Sequence, residues 1–239
     1  MDMMILLVLI IGIFSGFFIQ TIIGFGGALI ALPFLLFVMP LTDAVTYITI
    51  FYAIASPIHI YKEWKYIDQK LIKKLLIASI VGVIIGGFVL MYSRPSILKK
   101  VLGVFIILFV INKSIAKNSY TFPSRVEYLF GLLGGFFAGV FSTGGPLYVI
   151  AVKNAIADIK VFRATMFAAL GLVTFLRIPV LIAGDALQIS QLYYSLAVLP
   201  LFILSLFLGK KVYLRLNEAF LTKVVLVILL ISGLLLLFK

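Results

Sequence analysis

Unbroken apolar stretches recur along this chain, several of them 18 residues or longer and almost free of charge. An α-helix of that length crosses a hydrocarbon layer of about 30 Å. Within such a layer every backbone N–H and C=O must find its partner inside the protein, so only helices or a closed barrel can span it. The stretches are continuously apolar rather than alternating, which argues against barrel strands. Composition agrees, with 64% of the 239 residues hydrophobic, 12% charged and a mean hydropathy of +1.28. A water-soluble domain has no place to hide that much apolar surface. The chain therefore reads as an all-α integral membrane protein.

The apolar runs fall at about 4–39, 43–61, 71–92, 97–112, 126–152, 161–183, 190–208 and 217–238. The first is too long for one crossing and is interrupted at Gln20-Thr21 and Gly24-Phe25-Gly26-Gly27. We read it as a hairpin of two short helices. The run 126–152 is interrupted in the same way, at Ser142-Thr143-Gly144-Gly145-Pro146. Laying Gly26-Gly27 over Gly144-Gly145, an offset of 118, also lays Gly16 over Gly134 and Phe18 over Phe136. Further on, Val45-Thr46 resembles Ala164-Thr165 at an offset of 119, and Gly86 lies over Gly209 at 123. An old duplication is the expectation: a first repeat at 1–112, a linker at 113–125 and a second repeat at 126–239, with about 8–10 membrane segments in all.

Charge sets the orientation. If each Gly-rich hairpin returns to its starting side, each half has five segments, and the halves run in opposite senses. One face then receives Lys62, Lys65, Lys70, Lys73, Lys74, Lys113, Lys117, Arg125, Lys153, Lys160, Arg163, Lys210, Lys211 and Arg215, fourteen of the twenty basic residues. The positive-inside rule assigns that face to the cytoplasm and both termini to the outside. Reading 126–152 as a single tilted span would leave Lys153, Lys160 and Arg163 on the wrong side. Met1-Asp2-Met3-Met4 has no basic n-region, so the first run is expected to remain as a span. The net charge of +12 follows from these topology-setting lysines, and nucleic acid is not an expected partner. Membrane lipid is, through the basic run Lys62–Lys74.

The Gly-rich stretches GFGGALIALP and GGFFAGVFSTGGP resemble the paired signatures of the TauE/SafE family of sulfite and organosulfonate exporters. Arg163-Ala164-Thr165 is similar to the short basic-small-Thr segment that follows the second signature. The resemblance covers essentially the whole chain. It implies an inner-membrane carrier that exports a small sulfur-containing anion such as sulfite, thiosulfate or an organosulfonate. One departure stands out: Pro33 follows the first signature, whereas Ala151 occupies the aligned place in the second. The second hairpin is therefore expected to be less sharply kinked.

The residues support an anion site independently. Helices opening at Ala28–Met39 and Pro146–Ala157 would begin inside the membrane, each presenting free N–H groups and partial positive charge. Gly24, Gly26, Gly27, Gly144 and Gly145 let the backbone approach a ligand, and Pro146 suits a helix start. Two such ends from inverted halves would face each other near the midplane as an oxyanion cradle. The competing explanation is that the glycines serve close helix packing. Gln20, Thr21, Ser142 and Thr143 either donate to oxyanion oxygens or satisfy carbonyls freed by the breaks. Thr46 and Thr165 hold matching places in the following spans, where they line the cavity or bond back to their own helices. Arg177 lies roughly 9 Å inside the end of its span, at 1.5 Å per residue. It either serves the site or snorkels outward. His59 is expected to be an interfacial, solvated residue.

Several classes are excluded. The chain has no cysteine and a single histidine, so neither thiolate chemistry nor a dedicated metal site is expected. No Ser-His-Asp set, HExxH or paired buried carboxylates appears, so no enzyme and no cofactor are expected. All eight acids lie near span ends or in loops, which leaves no mid-membrane proton relay. A carrier for another small anion such as a carboxylate, an anion channel and a scaffold remain open at this level, as does a homodimer.

Overall fold

The computed structural model describes residues 3–115, 123, 126–213 and 218–238. Among these residues it has ten α-helices and no strand. They are α1 (Met3–Ile23), α2 (Gly27–Leu35), α3 (Leu41–Glu63), α4 (Gln69–Tyr92), α5 (Pro95–Ile115), α6 (Val126–Phe141), α7 (Gly145–Ala155), α8 (Ile159–Ala183), α9 (Ile189–Tyr213) and α10 (Glu218–Phe238). Six of them are long and apolar enough to cross a membrane: α1, α3, α4, α5, α8 and α9. Each of the two over-long apolar runs is a long helix followed by a short one, α1 with α2 and α6 with α7.

Local chemistry sets the boundaries. Asp68 starts α4 by accepting from the N–H groups of Lys70 and Leu71, both at 3.0 Å. Asp158 starts α8 in the same way, through Lys160 at 2.8 Å and Val161 at 2.9 Å. These caps satisfy donors that helix starts leave free. The helix expected over Ala28–Met39 ends sooner, at Leu35. Beyond it Phe37 and Val38 bond to the carbonyls of Phe34 and Leu35, at 3.2 and 3.1 Å, which tightens the last turn. Pro40 then disfavours helical backbone at Met39. The second short helix ends at Ala155 rather than Ala157, because Ile156 turns extended ahead of the Asp158 cap.

The most extensive contact is between α4 and α6. It is backbone on backbone. A Cβ added to Gly131 or Gly139 would sit 2.7 Å from the carbonyl oxygen of Leu75 or Val83, and one on Gly135 would crowd that of Ser79. Gly82 and Gly86 on α4 meet the backbone of Leu132 and Phe136 just as closely. Because 75, 79 and 83 pair with 131, 135 and 139, the two helices run parallel. Small residues that let backbones touch are a recurring device of membrane helix pairs.

Exchanging α1–α5 for α6–α10 maps the main contacts onto one another. The α1–α9 contact becomes α4–α6, α1–α2 becomes α6–α7, α2–α3 becomes α7–α8, and α3–α8 and α5–α10 map onto themselves. The matching extends to hydrogen bonds. Thr46 on α3 donates to the carbonyl of Ala186 just before α9, at 3.2 Å. Thr165 on α8 accepts from the N–H of Asp68 just before α4, at 3.1 Å. The start of α3 thus lies by the end of α8 and the reverse, so these two helices are antiparallel.

The flanks are apolar. On α5, Ile97, Val101, Val104, Leu108 and Ile111 are exposed at a helical spacing that forms one continuous stripe. Such a face suits lipid tails and would be untenable in water. Replacing Gly135 by Leu should destabilise the protein by about 1–3 kcal/mol or more through overpacking. Leu108→Ala on the lipid-facing stripe should stay within about 0.5 kcal/mol. Thermal unfolding in one detergent compares the two.

Candidate functional site

The two breaks meet. A Cβ added to Gly145, the first residue of α7, would lie 3.5 Å from the Cβ of Phe25 and 3.7 Å from the backbone N of Gly26. The N-termini of α2 and α7 therefore stand against each other, contributed by the two halves of the chain. Neither start has a side-chain cap. Both lie in buried surroundings, so the positive ends of two helix dipoles share one small region.

The breaks are similar but not identical in backbone. Gly24 and Ser142, related by the offset of 118, both take positive φ, at 88° and 60°. Gly24 bonds to the carbonyl of Gln20 at 2.7 Å, and Ser142 to that of Ala138 at 2.9 Å, again matched positions. They differ at the cap, since Gly26 is left-handed at φ 89° and Gly144 is right-handed at φ −63°. Pro33 lies inside α2, and the aligned Ala151 lies inside α7.

The side chains expected at the site divide into two groups. Gln20 Oε1, Ser142 Oγ and Thr143 Oγ1 are buried and have no hydrogen-bond partner among the described residues. Gln20 lies directly against Gly27, where an added Cβ would overlap its Oε1. Thr21, Thr46 and Thr165 are occupied elsewhere. Thr21 donates to Phe17 O in its own helix at 2.8 Å. Thr46 and Thr165 make the inter-half bonds described above. Pro146 sits in the first turn of α7, as its ring chemistry favours.

Arg177 is buried at 2% exposure, so it does not snorkel. Its Nη1 donates to the carbonyl of Ala138 at 2.5 Å, the same oxygen that accepts from Ser142 N. The guanidinium is thereby fixed against the second break. Its Nε and Nη2 have no partner, and no carboxylate pairs with it among the described residues. Two tyrosines interact with it electrostatically, Tyr52 on α3 and Tyr148 on α7. The Tyr148 ring packs against Gly134 and Gly144, and its hydroxyl hydrogen-bonds to Ser79 Oγ at 2.8 Å. A buried cation without a counter-charge is costly in any low-dielectric setting.

The sequence profile of the sulfite exporter TauE/SafE family matches residues 8–236. The chain belongs to the TauE/SafE family. Membership makes it a multi-pass membrane transporter of the sulfite and anion exporter kind. No curated protein and no solved structure matches it.

Reading the sequence for TauE/SafE signatures finds the breaks but misses part of their surroundings. Tyr52 and Tyr148 pass as ordinary aromatic residues in apolar helices, and only the fold brings them to Arg177. Arg163, counted among the topology-setting charges, is buried at 7% and paired with Glu63 at 3.1 Å. His59 is not solvated as expected. It is 8% exposed because it lies in the α3–α8 crossing, stacked on Phe167 with ring centroids 4.1 Å apart. Among the described residues no group of acids, histidines and cysteines is arranged to hold a metal ion.

Backbone geometry separates the two caps experimentally. Gly26→Ala should cost about 1–2 kcal/mol, because a side chain is unwelcome at left-handed φ even where space exists. Gly145→Ala should cost under about 0.5 kcal/mol, since its Cβ would make only ordinary contacts. Denaturation midpoints of the two variants, measured side by side, check the contrast.

Proposed function

We propose that this TauE/SafE member exports a small sulfur oxyanion (sulfite, thiosulfate or an organosulfonate) by alternating access, holding it where α2 and α7 begin. The observation that carries the proposal is the buried Arg177 without a carboxylate, lying beside two uncapped helix starts. In this reading the backbone N–H groups of Gly27 and Gly145 and the free Nε and Nη2 of Arg177 donate to the anion's oxygens. Ser142 and Thr143 add hydroxyls, and Gln20 can turn either end of its amide to the gap. Tetrahedral and pyramidal oxyanions suit such a cradle because they accept hydrogen bonds from several directions at once.

The architecture is read as two inverted repeats, 1–112 and 126–239. The exchange of contacts between the halves and the antiparallel course of α3 and α8 support this reading. Much of the connecting segment 113–125 lies outside the described residues, as do both ends of the chain. The lysine-rich face is read as cytoplasmic and the membrane as the cell's inner membrane, on the charge rule alone. Inverted repeats with broken helices at their junction suit a carrier that exposes one site alternately to two sides.

Export needs no proton relay on this account. Glu63 and Glu127 are each paired with a cation, and Asp43 is hydrogen-bonded to Gln191. The membrane potential alone supplies about 2.3 kcal/mol per charge per 100 mV to an anion leaving a negative interior. That sustains roughly a fifty-fold gradient of a monoanion, at 1.4 kcal/mol per decade.

Two measurements test the proposal. Sulfite at a hundred times its dissociation constant should stabilise the purified protein by about 2.7 kcal/mol. The stabilisation should vanish in Arg177→Met, and Gly145→Leu should remain folded but carry no flux. Stabilisation by carboxylates alone would keep a carrier and discard the sulfur cargo. In proteoliposomes, sulfonate flux should follow the sign of an imposed potential, and flux indifferent to that sign would overturn potential-driven export.

A further inference from the structure

Beside the first break, the lysine-rich end holds a second buried polar cluster where α3, α8 and α9 converge. Arg163 Nη2 donates to Glu63 Oε1 at 3.1 Å, while its Nε has no hydrogen-bond partner. The guanidinium lies 3.9 Å from the ring centroid of Tyr213 and 5.3 Å from that of Phe167. Phe167 in turn stacks on His59, whose Nε2 is also buried and unpartnered. Lys62 and Lys210 act electrostatically on His59, and Lys210 acts on Glu63 as well. Two cations, Arg163 and Lys210, thus act on the one carboxylate. The cluster touches the first break directly, because a Cβ on Gly24 would come within 2.8 Å of Arg163 Cγ.

We propose that Arg163, framed by His59 and Gly24, is a second anion-binding station at the lysine-rich mouth of the pathway, occupied by the Glu63 carboxylate until a transported anion displaces it. This station rests on the reading that anions move between that face and the paired breaks. Its chemistry follows from the groups present. A guanidinium fork accepts a sulfur oxyanion in the same way as it accepts a carboxylate. The Arg163 side chain is 9% exposed and the Glu63 side chain 26%, so the acid is the partner that can swing into water while the cation stays. Stacking against Tyr213 and Phe167 holds the guanidinium plane in place during the exchange. Lys62 and Lys210 favour an arriving anion over bare water. Contact with Gly24 places the released anion one step from the α2 start.

The alternative is that Arg163 and Glu63 merely tie α8 to α3, and the two roles separate in a binding titration. Sulfite is titrated calorimetrically into the full-length purified protein as wild type, Glu63→Gln and Arg163→Gln. Each is measured with Arg177 present and as Arg177→Met. Removing the competing carboxylate should tighten the sulfite site that survives Arg177→Met by about tenfold, the scale of one charged hydrogen-bond partner. Arg163→Gln should abolish that site. Unchanged sulfite affinity in Glu63→Gln, whatever its melting temperature, would overturn the station. Glu63→Gln keeps the shape of the side chain and decides the question even if Arg163→Gln fails to fold. Flux in proteoliposomes keeps the two readings apart. Arg163-dependent binding without wild-type flux would discard the carrier and keep the station. Normal flux with an unchanged KM in Arg163→Gln would do the reverse.

Discussion

A helix interrupted inside an apolar slab exposes backbone donors and acceptors where no water can satisfy them. The rest of this structure is arranged around that constraint. The chain breaks twice, at 24–26 and 142–144, and brings the two breaks against each other. On the acceptor side the demand is answered by protein. The carbonyl of Ala138, among the last of α6, takes bonds from both Ser142 N and Arg177. On the donor side neither N-cap residue supplies a side-chain cap, and the backbone of Ala28 at the start of α2 is met by Tyr52 on α3.

The two halves share a continuous hydrophobic core and are tied across it by reciprocal hydrogen bonds. Thr46 reaches the segment before α9, and Thr165 holds the segment before α4. Each half therefore anchors a loop of the other at its own end of the α3–α8 pair. At the lysine-rich end the tie is reinforced by Glu63 and Arg163, and at the opposite end by Asp43 and Gln191, whose amide donates at 3.1 Å. Of the acids that the sequence scatters along span ends, Asp68 and Asp158 cap helices, and Asp43, Glu63 and Glu127 join one helix to another.

Much of this was legible in the sequence because the bilayer narrows the choices so severely. Apolar length located the spans, and the glycine pairs located both breaks to within a residue or two. The face of a helix on which a polar residue lies was far less legible. In a membrane protein, Thr21 and Thr143 look alike in sequence. Only the fold shows that the first is satisfied by its own helix while the second is buried without a partner among the described residues. Arg163 was read as a topology charge because it stands in a basic loop region, yet the first turn of α8 dips below the surface and buries it. Tyr52 and Tyr148 carried no periodic signal at all, because aromatic residues are common in every apolar helix of this chain.

The glycine seam between α4 and α6 has a mechanical meaning. Backbone locked against backbone has no side chains to deform, and it cannot slide without lifting apart. Its counterpart between α1 and α9 is less extensive and has one such close point, Gly209 against Phe18 and Thr21. The protein is thus built with one stiff joint and one compliant joint at positions that are otherwise equivalent. Any rocking of one half against the other would turn about the first and open at the second, so matching contacts differ in stiffness.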